Sequence, residues 1–235
     1  MLIDWNAFDL IVFDVDGTLY SQRKLRLKMA GVLVRHCLIT GSMNTLRILG
    51  SYREWREELA EQGDERFEEV LIARLASRYR RSEADIQAIV TEWMEVKPLK
   101  YLKECRYVGV KELVTQLRST GKIIGVLSDY PAQDKLSKLE LEADFVLSAR
   151  DEQVAALKPN PRGLQRLMAL AGVGPEATVM IGDRAERDGE MGRRAAVKTY
   201  LRSRKTIPGW DCFSSFLDLL ESTPSVSAPV LRESI

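Results

Sequence analysis

A chain of 235 residues with 45% hydrophobic content is long enough to bury a sizeable core, either as one large domain or as a core carrying an inserted subdomain. Its 35 Lys and Arg against 34 Asp and Glu leave a formal net charge of +1, so no overall basic field invites nucleic acid. The three cysteines, Cys37, Cys105 and Cys212, are widely spaced and form no Cys-x-x-Cys pair, which argues against a disulfide framework or a structural zinc and for a reducing, cytoplasmic setting.

The N-terminal Met-Leu-Ile-Asp-Trp-Asn has no basic region ahead of its first hydrophobic run, unlike a signal peptide. Asp9 to Phe13 read Asp-Leu-Ile-Val-Phe, a short apolar run with β-branched members that suits a central parallel strand covered on both faces. It ends in Asp14-Val15-Asp16-Gly17-Thr18-Leu19, which sets two carboxylates two residues apart where the strand gives way to a glycine turn. Along an extended chain the two side chains start from opposite faces, so both reach one ligand only if the backbone twists between them, and Gly17 permits that bend. Open α/β sheets bind ligands beyond the carboxyl ends of their strands, where Asp14 and Asp16 fall.

Ser21 to about Glu104 shows almost no strand signal and strong helical periodicity. Phe67, Val70, Leu71, Leu75 and Tyr79 make one buried stripe, and Ser82 with Asp85 forms the start of a capping box ahead of Ile86, Ile89, Val90 and Trp93. The charge here is uneven. Gly17 to Arg53 holds seven cationic residues (Arg23, Lys24, Arg26, Lys28, Arg35, Arg47 and Arg53) and no acidic one, whereas Glu54 to Glu69 is heavily acidic. Mutually attracting, solvated helix faces account for this. Two sharper alternatives stay open: Arg23, Lys24 and Arg26 facing a cleft to select an anionic substrate, or the mixed basic and apolar stretch Leu25 to Ile39 meeting anionic lipid. The longest apolar runs, such as Met29 to Val34, fall far short of the about 20 residues a bilayer span needs. His36 is the single histidine and has no acidic neighbour in sequence, so a multi-histidine metal site is excluded and a structural role expected.

Breaks at Lys97-Pro98 and Tyr107-Val108-Gly109 return the chain to a β-α rhythm that alternates to Tyr200, beginning with a helix over Val110 to Ser119. Lys122 to Leu127 is a strand running into Ser128-Asp129-Tyr130-Pro131, where a hydroxyl stands beside helix-start N–H groups. Asp144 to Ser148 supplies a further strand. Leu157-Lys158-Pro159-Asn160-Pro161 places a lysine ahead of two stiffening prolines, and Thr178 to Gly182 is a strand ending in Gly-Asp183, with Asp188 five residues on. Phe213 to Leu220 reads as a last helix and the Ser- and Pro-rich end as a loose tail. Each chemical fragment alone has an ordinary explanation: turn, helix cap, solvated lysine, or acid favoured by the helix dipole.

In this order, however, the fragments resemble the haloacid dehalogenase-like hydrolase superfamily, in its phosphatase branch with a helical cap inserted after the first motif. The resemblance spans Asp9 to about Tyr200 and implies an α/β fold: a Rossmann-like parallel sheet with helices on both faces plus an α-helical cap subdomain. The division expected is a core of 1–20 and 105–222, a cap of 21–104 and a disordered tail of 223–235. It implies roles at matching positions: Asp14 as nucleophile, Asp16 as acid and base, Ser128, Asp129 and Lys158 about the substrate phosphate, and a Mg²⁺ ion on Asp14, Asp183 and the Asp16 carbonyl, with Asp188 direct or through water.

The resemblance further implies a phosphatase hydrolysing a small soluble phosphomonoester, of the sugar-phosphate or phosphoglycolate kind, through an aspartyl phosphate. Asp16 speaks against dehalogenation, because a halide leaves without a proton. A phosphomutase of the same core and a non-catalytic phosphate-binding regulatory protein remain alternatives. Asp129 departs from the Asn or Gly common after the second-motif hydroxyl, and a helix-capping role is expected for it. A small-molecule substrate, no nucleic acid, no integral membrane segment and a monomer or homodimer complete the expectation.

Overall fold

The computed structural model describes residues 3–63 and 65–221, so the expected tail lies outside the described residues. The strand β1 (Leu10–Phe13) leads into α1 (Gln22–Thr40), α2 (Asn44–Gln62), α3 (Phe67–Tyr79) and α4 (Glu83–Val90). That last helix continues through a π-helical turn, Thr91–Val96, into α5 (Lys97–Leu99), and α6 (Leu102–Cys105) ends the insertion. There follow α7 (Val110–Ser119), β2 (Ile123–Ser128), α8 (Gln133–Leu139), β3 (Phe145–Ser148), α9 (Arg162–Ala171) and β4 (Thr178–Gly182). The chain closes with α10 (Glu190–Arg194), β5 (Lys198–Arg202), β6 (Asp211–Phe213) and α11 (Phe216–Leu220).

All strand pairings are parallel, in the order β3-β2-β1-β4-β5-β6. The apolar run of β1 sits at the centre because it pairs on both sides, Leu10 with Ile123 and with Thr178. Its side chains alternate as strand geometry demands. Ile11 and Phe13 enter the larger core with Val110, Leu113 and Phe216, while Leu10 and Val12 enter the opposite one with Leu164, Leu167 and Met191. Helices therefore cover both faces, and the connections run outward in one direction from β1 to β3 and in the other from β4 to β6. Strand order reverses beside β1, the place where sheets of this type open a crevice.

The helical insertion has its own apolar cluster, built on Ile48, Tyr52, Phe67, Leu71, Leu75 and Ile86, and Ala149 and Leu157 from the sheet side pack into it. The expected stripe on α3 is its main contribution, each fully buried Leu being worth about 1.5–3 kcal/mol. Ser82 Oγ accepts from the Asp85 N–H at 3.1 Å, as the capping pattern requires. The two chain crossings into the insertion run side by side: the Ser21 N–H donates to the Cys105 carbonyl at 2.8 Å and the Tyr107 N–H to Leu19 at 3.1 Å. His36 packs edge-on against Trp93 and pairs with Thr45 Oγ1 at 3.1 Å. The cysteines are free thiols.

The C-terminal reading needs correction. Phe213 belongs to the edge strand β6, with Cys212 in register with Leu201, and the helix starts only at Phe216, where Ser215 caps it by accepting from the Leu217 N–H.

Candidate active site

The carboxyl end of β1 delivers Asp14, whose backbone N–H still donates to Ile181 of β4 at 2.9 Å. Beyond it Gly17 takes φ +110°, and a Cβ there would collide with the Asp183 carboxylate, so the turn both needs glycine and lets Asp183, the residue after β4, close in. Thr18 Oγ1 donates to Asp14 Oδ2 at 2.8 Å. From the loop after β3, Lys158 Nζ reaches Asp14 Oδ1 at 2.5 Å and Asp188 Oδ1 at 2.8 Å. Asp188 is held in turn by the N–H groups of Asp183 and Arg184, both at 3.1 Å. Asp14, Lys158 and Asp188 are 7%, 4% and 2% exposed, so these charges act on one another with little water between them.

Three carboxylates face one ammonium. Burial pushes the Asp14 pKa well above its usual value, Lys158 opposes the shift, and Asp188 and Asp183 add to it. Asp183 is pushed up to about 7 by burial and then by Asp188. Burial works against charge on Lys158, but Asp14 and Asp188 hold its pKa above the usual range. A further cation would offset the excess of carboxylate charge in this arrangement. Asp14, Asp183 and Asp188 each offer an oxygen within 4.8 Å of the others, and Asp183 Oδ1 is buried with no hydrogen-bond partner. An all-oxygen set with an orphaned carboxylate oxygen fits a hard divalent ion such as Mg²⁺.

Asp16 turns to the other side of the turn. Lys135 Nζ lies 2.7 and 2.6 Å from its two oxygens, Tyr20 donates its hydroxyl to Oδ1, and Ser128 Oγ donates to Oδ2 at 3.3 Å. Burial disfavours charge on Asp16, but Lys135 and Tyr20 outweigh it and hold the carboxyl below its usual value. Ser128, at the end of β2, also accepts from the Tyr130 N–H at 3.2 Å. The expected capping role of Asp129 is not what the structure has: α8 carries no side-chain cap, and Asp129 Oδ1 instead accepts from the Lys158 N–H at 3.1 Å. A strand end beside a second loop offers a nearer unsatisfied donor than a helix that starts four residues later.

Above these groups is a cavity of about 680 Å³ whose other wall comes from the insertion. Arg26 lines it and also, with Arg23, Gly17 and Arg202, a second hollow that shares Asp183 with it, and Lys24 lines neither. Several functional neighbours escaped sequence reasoning. Arg56 of α2 donates to the Asp129 carbonyl, pairs with Glu68 at 2.9 Å and stacks on Tyr130. Arg187 donates to the Lys158 carbonyl at 2.6 Å and to Glu57, which also takes Arg184 at 2.9 Å. Lys135 had one legible mark, a cation in the first turn of a helix, against the dipole.

A glyceraldehyde 3-phosphate phosphatase from Methanopyrus kandleri is 29% identical over 194 residues, covering 80% of this chain and 81% of that protein. Pyrophosphatase PpaX from Bacillus cereus is 26% identical over 201 residues, covering 80% of each. A 2-haloacid dehalogenase structure from Pseudomonas syringae superposes with a TM-score of 0.65 at 17% identity, over 92% of this chain and 97% of that one, which speaks for the shared fold. Residues 8–196 match the haloacid dehalogenase-like hydrolase family, and the chain belongs to it.

Proposed function

We propose that the protein is a Mg²⁺-dependent phosphatase that hydrolyses a phosphomonoester through a phosphorylated Asp14, with residues 21–104 acting as a cap over the site. The observation that carries this is the meeting of four sequence-remote segments at one strand end, Lys158 Nζ lying 2.5 Å from Asp14 Oδ1 beside three clustered carboxylates. The relatives named above act on a small sugar phosphate and on pyrophosphate, which supports phosphate as the group transferred.

Asp14, Asp183 and Asp188, with the Asp16 carbonyl, would hold the ion. When bound it supplies the positive charge that offsets repulsion between a carboxylate and a phosphate dianion, several kcal/mol at contact distance in a partly buried site. Asp14 attacks phosphorus as the ester P–O bond breaks, and Lys158 and Ser128 orient and neutralise the phosphoryl oxygens. The leaving oxygen takes one proton from the Lys135 ammonium, relayed through Asp16, and the proton that Asp16 later takes from water returns to Lys135. Asp16 then removes a proton from the water that cleaves the acyl phosphate, releasing phosphate and restoring Asp14.

A panel of phosphomonoesters assayed for phosphate release with Mg²⁺, beside Asp14→Asn, tests the reading. Release by the natural protein and none by the variant is expected; undiminished turnover in Asp14→Asn would remove the nucleophile assignment.

A further inference from the structure

The carboxylate floor of the cavity accommodates a phosphoryl group, which leaves most of its roughly 680 Å³ to the rest of the substrate. Pockets of about 300–1,000 Å³ enclose ligands far larger than a two- or three-carbon ester. The upper wall is apolar over Leu25, Met29, Leu33, Leu49 and Met94 and is interrupted by charged side chains. Most of those charges are already matched. Arg56 pairs with Glu68, Glu57 with Arg184 and Arg187, and Glu95 with Arg150.

Arg26 and Arg53 are different. Among the described residues neither has a carboxylate partner; Arg53 meets only the Met94 sulfur, at 3.7 Å. Both side chains are exposed to solvent and line the same cavity; the surrounding protein lowers the Arg53 pKa, with Tyr130 opposing and the Arg26 charge adding to the shift. Two guanidiniums without a carboxylate partner, on α1 and α2 of one cavity wall, form a receptor for an oxyanion, which relieves their repulsion and accepts their planar donor forks.

We propose that the substrate is a phosphomonoester whose leaving group carries a second anionic group, a carboxylate or second phosphoryl, bound by Arg26 and Arg53, with an apolar body between the two ends lying on Leu25, Met29, Leu33 and Leu49. This rests on the phosphatase reading for the phosphoryl end only. Three esters test it: phenyl phosphate, 4-carboxymethylphenyl phosphate and 1,4-phenylene bisphosphate, with calorimetric affinities measured on Asp14→Asn in Mg²⁺. Both the acidic esters, or one of them, should bind at least about tenfold tighter than phenyl phosphate, and which one is preferred names the anion. Adding Arg26→Met and Arg53→Met should erase that preference. Equal affinity for all three, no binding by any, or a preference that survives the double substitution would overturn the proposal. Turnover of the same esters by the natural protein is read separately: a binding preference without phosphate release by any ester would sink the phosphatase reading and leave the anion subsite standing.

Discussion

Asp16 and Lys135 share a strong charge-assisted pair, and in the proposed reaction the two groups would divide the proton work between its halves. An ionised Asp16 suits removal of a proton from water, whereas expelling an alkoxide needs a proton that the Lys135 ammonium, 2.6 Å away, can help supply. Lys135→Met is therefore expected to slow alkyl phosphates about 10- to 100-fold and aryl phosphates, which need little protonation, far less. Equal slowing of both classes by steady-state assay would contradict this division. Lys158→Met leaves Asp14 and Asp188 facing each other with no cation, and breaking a buried pair in this way costs about 3–5 kcal/mol. Its melting temperature should fall clearly without metal and recover part of the loss with Mg²⁺. At this scale the sequence was legible where a residue lies in a short motif, as Asp14, Asp16 and Asp183 do. It was silent on Arg56 and Arg187, whose contacts depend on a helix meeting loops that are remote in the chain.

Helix α2 is bound to the core through single side chains that end on the catalytic loops. Glu57 receives Arg184 and Arg187, and the second of these also donates to the Lys158 carbonyl, so one arginine links α2 to the loop that carries the lysine. Hydrogen bonding to Arg184, and then both arginine charges, lower the Glu57 pKa to about 2 despite partial burial. A carboxyl lowered on folding stabilises above its ordinary value of 4.5, and the contribution is lost as pH falls from there through about 2. Glu57→Gln should therefore lower the melting temperature at pH 7 and by much less near pH 2. The pair is half exposed, so the pH 7 effect should stay within about 1 kcal/mol, a few degrees by calorimetry. Gly17→Ala tests the turn: its positive φ costs on the order of 1–3 kcal/mol for a residue with a side chain, and the new methyl displaces Asp183. Loss of Mg²⁺-induced thermal stabilisation is expected there, and a variant with undiminished stabilisation would show that the turn does not position the metal site. Helices α3 and α4 were readable from apolar spacing and the Ser82 cap, while their contacts to the sheet were not, because periodicity marks a buried face and never its partner.

In the whole molecule, a six-stranded parallel sheet brings the chain's acidic motifs to one edge, and the helical insertion supplies the other wall of the cavity above them. The strand signal was strongest for β1 and β4, nearly continuous apolar runs buried on both faces, and weakest for β6, three residues at an edge whose Asp-Cys-Phe pattern carries no period. No helix among the described residues is long and apolar enough to cross a membrane, although α1 exposes Leu27, Val34, Leu38 and Ile39. The convergence of remote motifs on one strand end was legible because parallel sheets gather their carboxyl ends at one edge. The proposed anion subsite was not, since Arg26 and Arg53 lie on different helices and their shared cavity exists only in the fold. The central claim is that Asp14 itself carries the phosphoryl group during turnover. Acid-quenching a rapid reaction of the protein with Mg²⁺ and a turned-over ester, followed by peptide mass spectrometry, measures this directly: the account predicts one added phosphoryl mass on the peptide containing Asp14, absent in Asp14→Asn, and rapid hydrolysis with that peptide unmodified at every quench time would contradict it.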